Sequence, residues 1–285
     1  MINGQTKLLG VIGDPIAHSL SPVMQNAAIA QLGVDYVYLP FAVAPENLGA
    51  AIAGFAAIDL QGFNVTIPHK QAIMPFLTAV SPIAQAIGAV NTVWKTPQGW
   101  HGTNTDVIGF LKPLQAYSRD WANLTALILG NGGAARAVVA GCGQLGCGAI
   151  QVVGRDPEKL HTFAQSWQRS PLSPTLSVHS WAELPNLLPT AGLLVNTTPV
   201  GMHTQAALSP VPETLLDRLQ PGTIVYDLIY NPRPTELLQQ AAQRGTIVLD
   251  GLEMLVQQGA AALEIWLQQP APIEVMRRAL TEQLL

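Results

Sequence analysis

Lys70, in Asn64-Val65-Thr66-Ile67-Pro68-His69-Lys70, and Asp106, in Gly102-Thr103-Asn104-Thr105-Asp106, are the two residues whose types best suit acid–base chemistry. Reducing a ketone with hydride leaves an alkoxide that must be protonated as it forms. A lysine ammonium can donate that proton, and a nearby carboxylate can orient the lysine and hold its charge. On spacing alone the same pair reads as a surface lysine and a helix N-cap. Other small polar groups gather at the predicted strand ends, where open α/β sheets take their ligands: Ser19, Ser21, Asn64, Thr66, Asn91, Thr92 and Asn104. Their hydroxyls and amides suit a small ligand bearing several hydroxyls and a carboxylate. His18 and His69 flank these positions without a metal-ligand spacing, and Cys142 and Cys147 have no zinc-site spacing, so no metal is expected.

A second chemistry lies further along. Leu124 to Leu129 is a nearly unbroken apolar run, the pattern of a parallel strand covered on both faces. It ends at Gly130-Asn131-Gly132-Gly133-Ala134-Ala135, a G-x-G-x-x-A turn followed by a helix-compatible segment. Gly130 permits the sharp turn, Gly132 lets a pyrophosphate approach the backbone, and Ala135 allows close helix–strand packing. Gly130 to Ala134 then present N–H groups to the phosphates of a dinucleotide. At the end of the next strand Arg155 and Asp156 stand side by side. An arginine there accepts a ribose 2′-phosphate, whereas a carboxylate bonds the 2′-hydroxyl. With Asp156 as the N-cap of the helix that Pro157 begins, Arg155 and Lys159 make a dianion site, so the expected cofactor is NADP.

The elements that must position these groups alternate. Strands are expected at Lys7–Gly13, Tyr36–Val43, Gly62–Pro68, Ile87–Lys95, Ala149–Val153, Leu193–Val195, Thr223–Asp227 and Thr246–Leu249. Helices fall between them, one capped by Ser21 with Pro22 at its first position and one running from Asp106 to about Tyr117, shortened or kinked at Pro113. Ser170 to Thr175 reads as a surface loop, and Leu252–Gln268 and Ile273–Leu284 as two closing helices. The class is α/β with parallel sheets. At 285 residues, 48% hydrophobic, the chain can fill two cores. A net charge of −4 gives no reason to expect nucleic acid or an anionic membrane as partner. The start of the chain lacks signal-peptide features, and no apolar run approaches the ~18 residues of a membrane span. With only two cysteines, the chain reads as a cytoplasmic protein.

Together these stretches resemble the shikimate dehydrogenase family over nearly the whole chain. Gly13-Asp14-Pro15-Ile16-Ala17-His18-Ser19-Leu20-Ser21-Pro22 is similar to its substrate loop, and Asn64 to Lys70 to the segment with its catalytic lysine. Gly88-Ala89-Val90-Asn91-Thr92, Gly102 to Asp106, Asn196-Thr197-Thr198-Pro199-Val200-Gly201-Met202 and Asp250 to Gly259 follow in the family's order. The resemblance implies reversible, NADPH-dependent reduction of 3-dehydroshikimate to shikimate, in aromatic amino-acid biosynthesis. It makes Lys70 and Asp106 catalytic, with Ser19 and Ser21 on the substrate carboxylate and Tyr230 near it. Thr66, Asn91, Asp106 and Gln258 would hold the ring hydroxyls, and Leu228 and Gly251 would line the nicotinamide. It implies a substrate domain of residues 1–106 and 251–285, with the closing helices returning to it, and a Rossmann-type NADP-binding domain of residues 107–250. A homodimer is compatible with this reading. Gln25 stands where the family often has histidine, and Pro82 where an acidic residue is frequent. An NAD-dependent quinate/shikimate dehydrogenase is the rival reading, and a non-catalytic sensor of nucleotide and shikimate-like ligand a more distant one.

Overall fold

Short apolar runs punctuated by Gly, Pro and Asn form the strands of two separate sheets. The fold is that of a computed structural model, which describes residues 2–168, 170, 172 and 175–285. Pro171, Ser173 and Pro174 of the expected surface loop lie outside the described residues. The chain divides into Met1–Gly109 with Leu255–Leu285 as one unit and Phe110–Met254 as the other.

In the first stretch come β1 (Lys7–Gly13), α1 (Ser21–Leu32), β2 (Tyr36–Ala42), α2 (Leu48–Ala57), β3 (Gly62–Val65) and α3 (His69–Ala72). They are followed by β4 (Ala79–Val80), α4 (Pro82–Ile87), β5 (Thr92–Thr96), β6 (Gly99–Thr103) and α5 (Asp106–Leu114). The strands form one sheet in the order β2-β1-β3-β5-β6-β4. This sheet is mixed and not parallel throughout: β5 runs antiparallel to both β3 and β6. The stretch read as one strand from Ile87 is divided by the α4 C-terminus and Gly88, and Pro97-Gln98 turns β5 back into β6. Phe63 is fully buried between Phe55 and Trp100, with ring centroids 5.4 and 5.3 Å away. Each such aromatic contributes about 1.5–3 kcal/mol through its burial. Ser21 is not the cap of α1. The helix starts at Ser21 itself, and the Ser21 N–H is donated to Ser19 Oγ at 3.3 Å. The helix from Asp106 ends at Leu114, short of Tyr117, with Pro113, which lacks an N–H, inside its last turn.

The second unit holds β7 (Thr125–Leu129), α6 (Gly133–Leu145), β8 (Ala149–Gly154), α7 (Pro157–Gln168), β9 (Leu176–Ser180) and α8 (Leu184–Leu187). Next are β10 (Ala191–Asn196), α9 (Glu213–Leu216), β11 (Ile224–Asp227), α10 (Glu236–Ala242) and β12 (Ile247–Leu249). Its sheet, β12-β11-β10-β7-β8-β9, is parallel at every pairing. This is the doubly wound Rossmann order, whose switch point lies between β7 and β10. Ala126 to Leu129 are wholly buried, as a strand covered on both faces requires.

Two helices close the chain, α11 (Leu252–Leu267) and α12 (Ile273–Gln283). From Leu255 onward they belong to the first unit. Gln25 Nε2 on α1 donates to the Gly259 carbonyl at 2.9 Å, and Trp266 Nε1 on α11 donates to the Val93 carbonyl at 2.9 Å. α12 packs against α1 and buries Met276 and Leu280 completely. Among the described residues no helix is long and apolar enough to cross a membrane.

Candidate active site

In the first unit the polar groups at the ends of β3, β5 and β6 converge. Lys70, on the short helix α3 that follows β3, donates from Nζ to Asp106 Oδ2 at 2.6 Å. The two side chains are 16% and 9% exposed, so the pair is largely shielded from water without being sealed off. Asp106 opens α5, where a carboxylate is stabilised by the helix N-terminus. Its other oxygen, Oδ1, accepts from Asn91 Nδ2 at 2.8 Å. The orientation of that amide is determined by its surroundings. Asn91 Oδ1 accepts the backbone N–H of Thr105 at 2.8 Å and the hydroxyl of Thr92 at 2.9 Å, so Nδ2 must face the carboxylate. Asn91 Nδ2 also reaches Gln258 Oε1 at 3.4 Å, which joins α11 to the cluster.

A buried chain of bonds supports this layer from beneath. The Tyr38 hydroxyl donates to Asn64 Oδ1 at 2.7 Å, and Asn64 Nδ2 donates to the Asn91 carbonyl and to Thr92 Oγ1, both at 3.1 Å. Full burial holds the Tyr38 phenol well above its usual range, so it remains a donor. Nearby, Thr66 at the end of β3 packs on the end of β1, its N–H bonded to the Ile12 carbonyl. Ser19 is half-buried and Ser21 buried. His69 is buried with Nε2 donating to the Val43 carbonyl at 2.6 Å, a structural role. Among the described residues no group of His, Cys, Asp and Glu could hold a metal ion.

In the second unit the glycine-rich turn closes β7. Gly130 has φ +100°, a conformation that side chains other than glycine's rarely tolerate. A Cβ on Gly132 would meet nothing within 4 Å, so the turn leaves open space against its backbone. Gly132 stands at the α6 N-cap with no side-chain bond, and the first N–H groups of the helix are left for an external anion. These features fit a pyrophosphate held by Gly130, Asn131, Gly132, Gly133 and Ala134. Asn131 lies beside the end of β8, its Cγ 3.4 Å from where a Gly154 Cβ would be. Arg155 follows there, exposed. Asp156 caps α7, with Oδ1 accepting the N–H groups of Glu158 and Lys159 at 3.0 and 3.2 Å. Lys159 leans toward that same carboxylate, Nζ to Oδ2 3.7 Å.

A bonded, mostly buried lysine–aspartate pair in one unit and a Rossmann-order sheet in the other agree with what the chain is similar to. Residues 11–93 match the shikimate dehydrogenase substrate binding domain and residues 251–281 the shikimate 5′-dehydrogenase C-terminal domain. Shikimate dehydrogenase (NADP(+)) of Nostoc sp. is 63% identical over all of this chain and 99% of its own. That of Microcystis aeruginosa is 61% identical over 99% of each. The chain belongs to the shikimate dehydrogenase family. Among solved structures, the shikimate 5-dehydrogenase of Thermus thermophilus in complex with NADP(H) and shikimate is 34% identical, with TM-score 0.85 over 97% of this chain and 99% of that one.

Of the residues that family resemblance suggested, the first unit brings Lys70, Asn91, Asp106 and Gln258 into one bonded cluster. Leu228, Tyr230 and Gly251 lie in the second unit. Sequence reasoning missed Tyr38 and Thr105. Nothing in Tyr36-Val37-Tyr38 marks which tyrosine turns inward. Thr105, however, sits inside a motif already singled out, next to Asp106.

Proposed function

We propose that this chain reduces 3-dehydroshikimate to shikimate reversibly, with Lys70 as proton donor and Asp106 as its partner. The observation that carries the reading is the 2.6 Å Lys70–Asp106 bond, set in a buried amide and hydroxyl network. Bound NADPH supplies the hydride. The protein's part is positional and protic. The lysine ammonium has three N–H donors, of which one goes to Asp106, which leaves the ammonium another donor for the ketone oxygen. As that oxygen gains charge, the ammonium gives up a proton, and in the reverse direction the amine takes it back. Asp106, held by Asn91, stabilises the ammonium form and keeps Nζ in place. Ser19 and Ser21 bind the substrate carboxylate, with Tyr230 near it. Thr66, Asn91, Asp106 and Gln258 bind the ring hydroxyls. Gly130 to Ala134 hold the pyrophosphate, Arg155 with Lys159 the 2′-phosphate, and Leu228 and Gly251 line the nicotinamide.

This assignment gives the substrate to the first unit, expected as residues 1–106 and 251–285 and divided in the fold at Gly109 and Leu255, gives NADP to the unit expected as residues 107–250, and puts the protein in the cytoplasm, where Cys142 and Cys147 remain free thiols. It accommodates a homodimer, and the mass measured by light scattering decides that point. The deciding experiment follows absorbance at the nicotinamide band with shikimate or quinate, first with NADP and then with NAD. Turnover of shikimate with NADP is expected. Quinate turned over as fast as shikimate, with NAD preferred, would favour the quinate/shikimate dehydrogenase reading. Lys70→Ala should lower kcat about 10²–10⁴-fold and leave shikimate binding by calorimetry largely intact. Full turnover in that variant removes Lys70 from the mechanism.

A further inference from the structure

Asp227 is wholly buried at the C-terminal end of β11, and the proton chemistry above makes no use of it. Its two oxygens collect three donors from three segments. Oδ1 accepts Asn196 Nδ2, at the end of β10, at 2.9 Å and the backbone N–H of Ile229 at 3.2 Å. Oδ2 accepts the hydroxyl of Thr235, which caps α10, at 2.7 Å. Asn196 extends the network. Its Oδ1 accepts both the N–H and the hydroxyl of Thr198, at 3.0 and 2.7 Å, and its carbonyl accepts the Leu228 N–H at 3.2 Å. The adjacent Thr197 bonds the Leu129 carbonyl through its hydroxyl at 2.6 Å, which ties in the strand that carries the glycine turn.

The position of this knot gives it meaning. In a doubly wound sheet a dinucleotide crosses the switch point, one nucleotide over each half. The half made of β7, β8 and β9 carries Arg155, so the adenosine end with its 2′-phosphate lies there. The nicotinamide end then falls over the ends of β10 and β11, where the backbone of Thr198, Leu228 and Ile229 is held in place by these bonds. We infer that Asp227 is a positioning residue for the nicotinamide end of the cofactor, acting through Asn196 and the Leu228–Ile229 backbone without touching the ligand. This rests on the NADP-binding role proposed for the second unit.

Two ligands separate this role from general structural damage: NADP+, and adenosine 2′,5′-bisphosphate, which lacks the nicotinamide half. In Asp227→Ala, calorimetry should show NADP+ binding about tenfold weaker, as for loss of a buried bonded group. Affinity for adenosine 2′,5′-bisphosphate and for shikimate should stay within about twofold of the parent, and kcat should fall. Asp227→Asn keeps an oxygen toward Asn196 and Ile229 and should restore most of the NADP+ affinity. If Asp227→Ala does not fold by circular dichroism, Asn196→Ala carries the same comparison. Equal weakening of both nucleotides, or unchanged NADP+ binding in a folded variant, overturns the inference. Failure of the parent protein to bind adenosine 2′,5′-bisphosphate at all would instead overturn the NADP reading beneath it.

Discussion

Arg155 and Lys159 are paired by the sequence reading as holders of one phosphate dianion, but their surroundings differ. Lys159 is drawn toward Asp156, whereas Arg155 stands exposed at the strand end beside Asn131 and the glycine turn. Arg155 should therefore carry most of the preference for NADPH. Arg155→Ser is expected to raise KM for NADPH about tenfold or more, the scale of a charge-assisted bond to phosphate, and to leave KM for NADH unchanged. Steady-state kinetics with the two cofactors reads this directly. A second prediction concerns Asp227, whose carboxyl is pushed up to about 6, mainly by burial, with a small push from Asp250. Bonds from Thr235, Ile229 and Asn196 oppose the rise. The unfolded chain holds this proton only below about pH 4, so between about 4 and 6 the folded state binds more protons. Stability from this group is greatest at the acid end and is lost as pH rises through that window, by roughly 2–3 kcal/mol in all. Denaturant titrations of the parent and Asp227→Asn should show the variant gaining relative stability as pH climbs from 4 to 7. Parallel profiles would show that the carboxyl titrates normally. Lys70 and Asp106 were singled out because each ends a compact motif of the family resemblance, whereas spacing alone gave a surface lysine and a helix N-cap; the bond between them shows that they pair. Asp227 was not, because its partners come from Asn196, Ile229 and Thr235, which nothing in the one-dimensional pattern draws together.

Among the elements, β3 shows how closely the layers meet. A Cβ on Gly62 would lie 2.2 Å from Trp266 Nε1, whose indole N–H bonds the carbonyl of Val93 on the neighbouring strand. Gly62→Ala must displace Trp266 or the strand. The expected cost is about 2 kcal/mol, the usual scale of overpacking, and a fall in melting temperature of several degrees. An unchanged melting temperature would mean that Trp266 moves aside freely. Strands with strong apolar runs, such as β7, were legible because burial on both faces leaves a nearly continuous pattern. β9 was not, since Leu176-Ser177-Val178-His179-Ser180 is a half-exposed edge strand with little apolar signal. The antiparallel β5 was hidden for another reason. A strand's direction is set by the connection around it, and here that connection is the two-residue Pro97-Gln98 turn between β5 and β6.

For the molecule as a whole, the alternation of strands and helices was enough to read two α/β units, and the glycine turn to mark where the second one begins. Its first strand directly precedes that turn, so everything before it needed a fold of its own. The first unit is discontinuous in sequence, and α11 and α12 supply Gln258, the bond to Val93 and the fully buried side chains of Val256, Ala262, Leu263, Met276 and Leu280. Ending the chain at Asp250 should therefore abolish shikimate binding by calorimetry while leaving adenosine 2′,5′-bisphosphate bound. Retained shikimate binding would show that those helices are dispensable.

That discontinuity also orders events during synthesis. The contiguous middle of the chain can fold while it emerges from the ribosome, but residues 1–109 must wait for a partner translated last. Until then Met24 and Gln25 of α1, which meet Gly259 of α11, stay uncovered, so chains stalled before Leu255 should be the ones that chaperones capture.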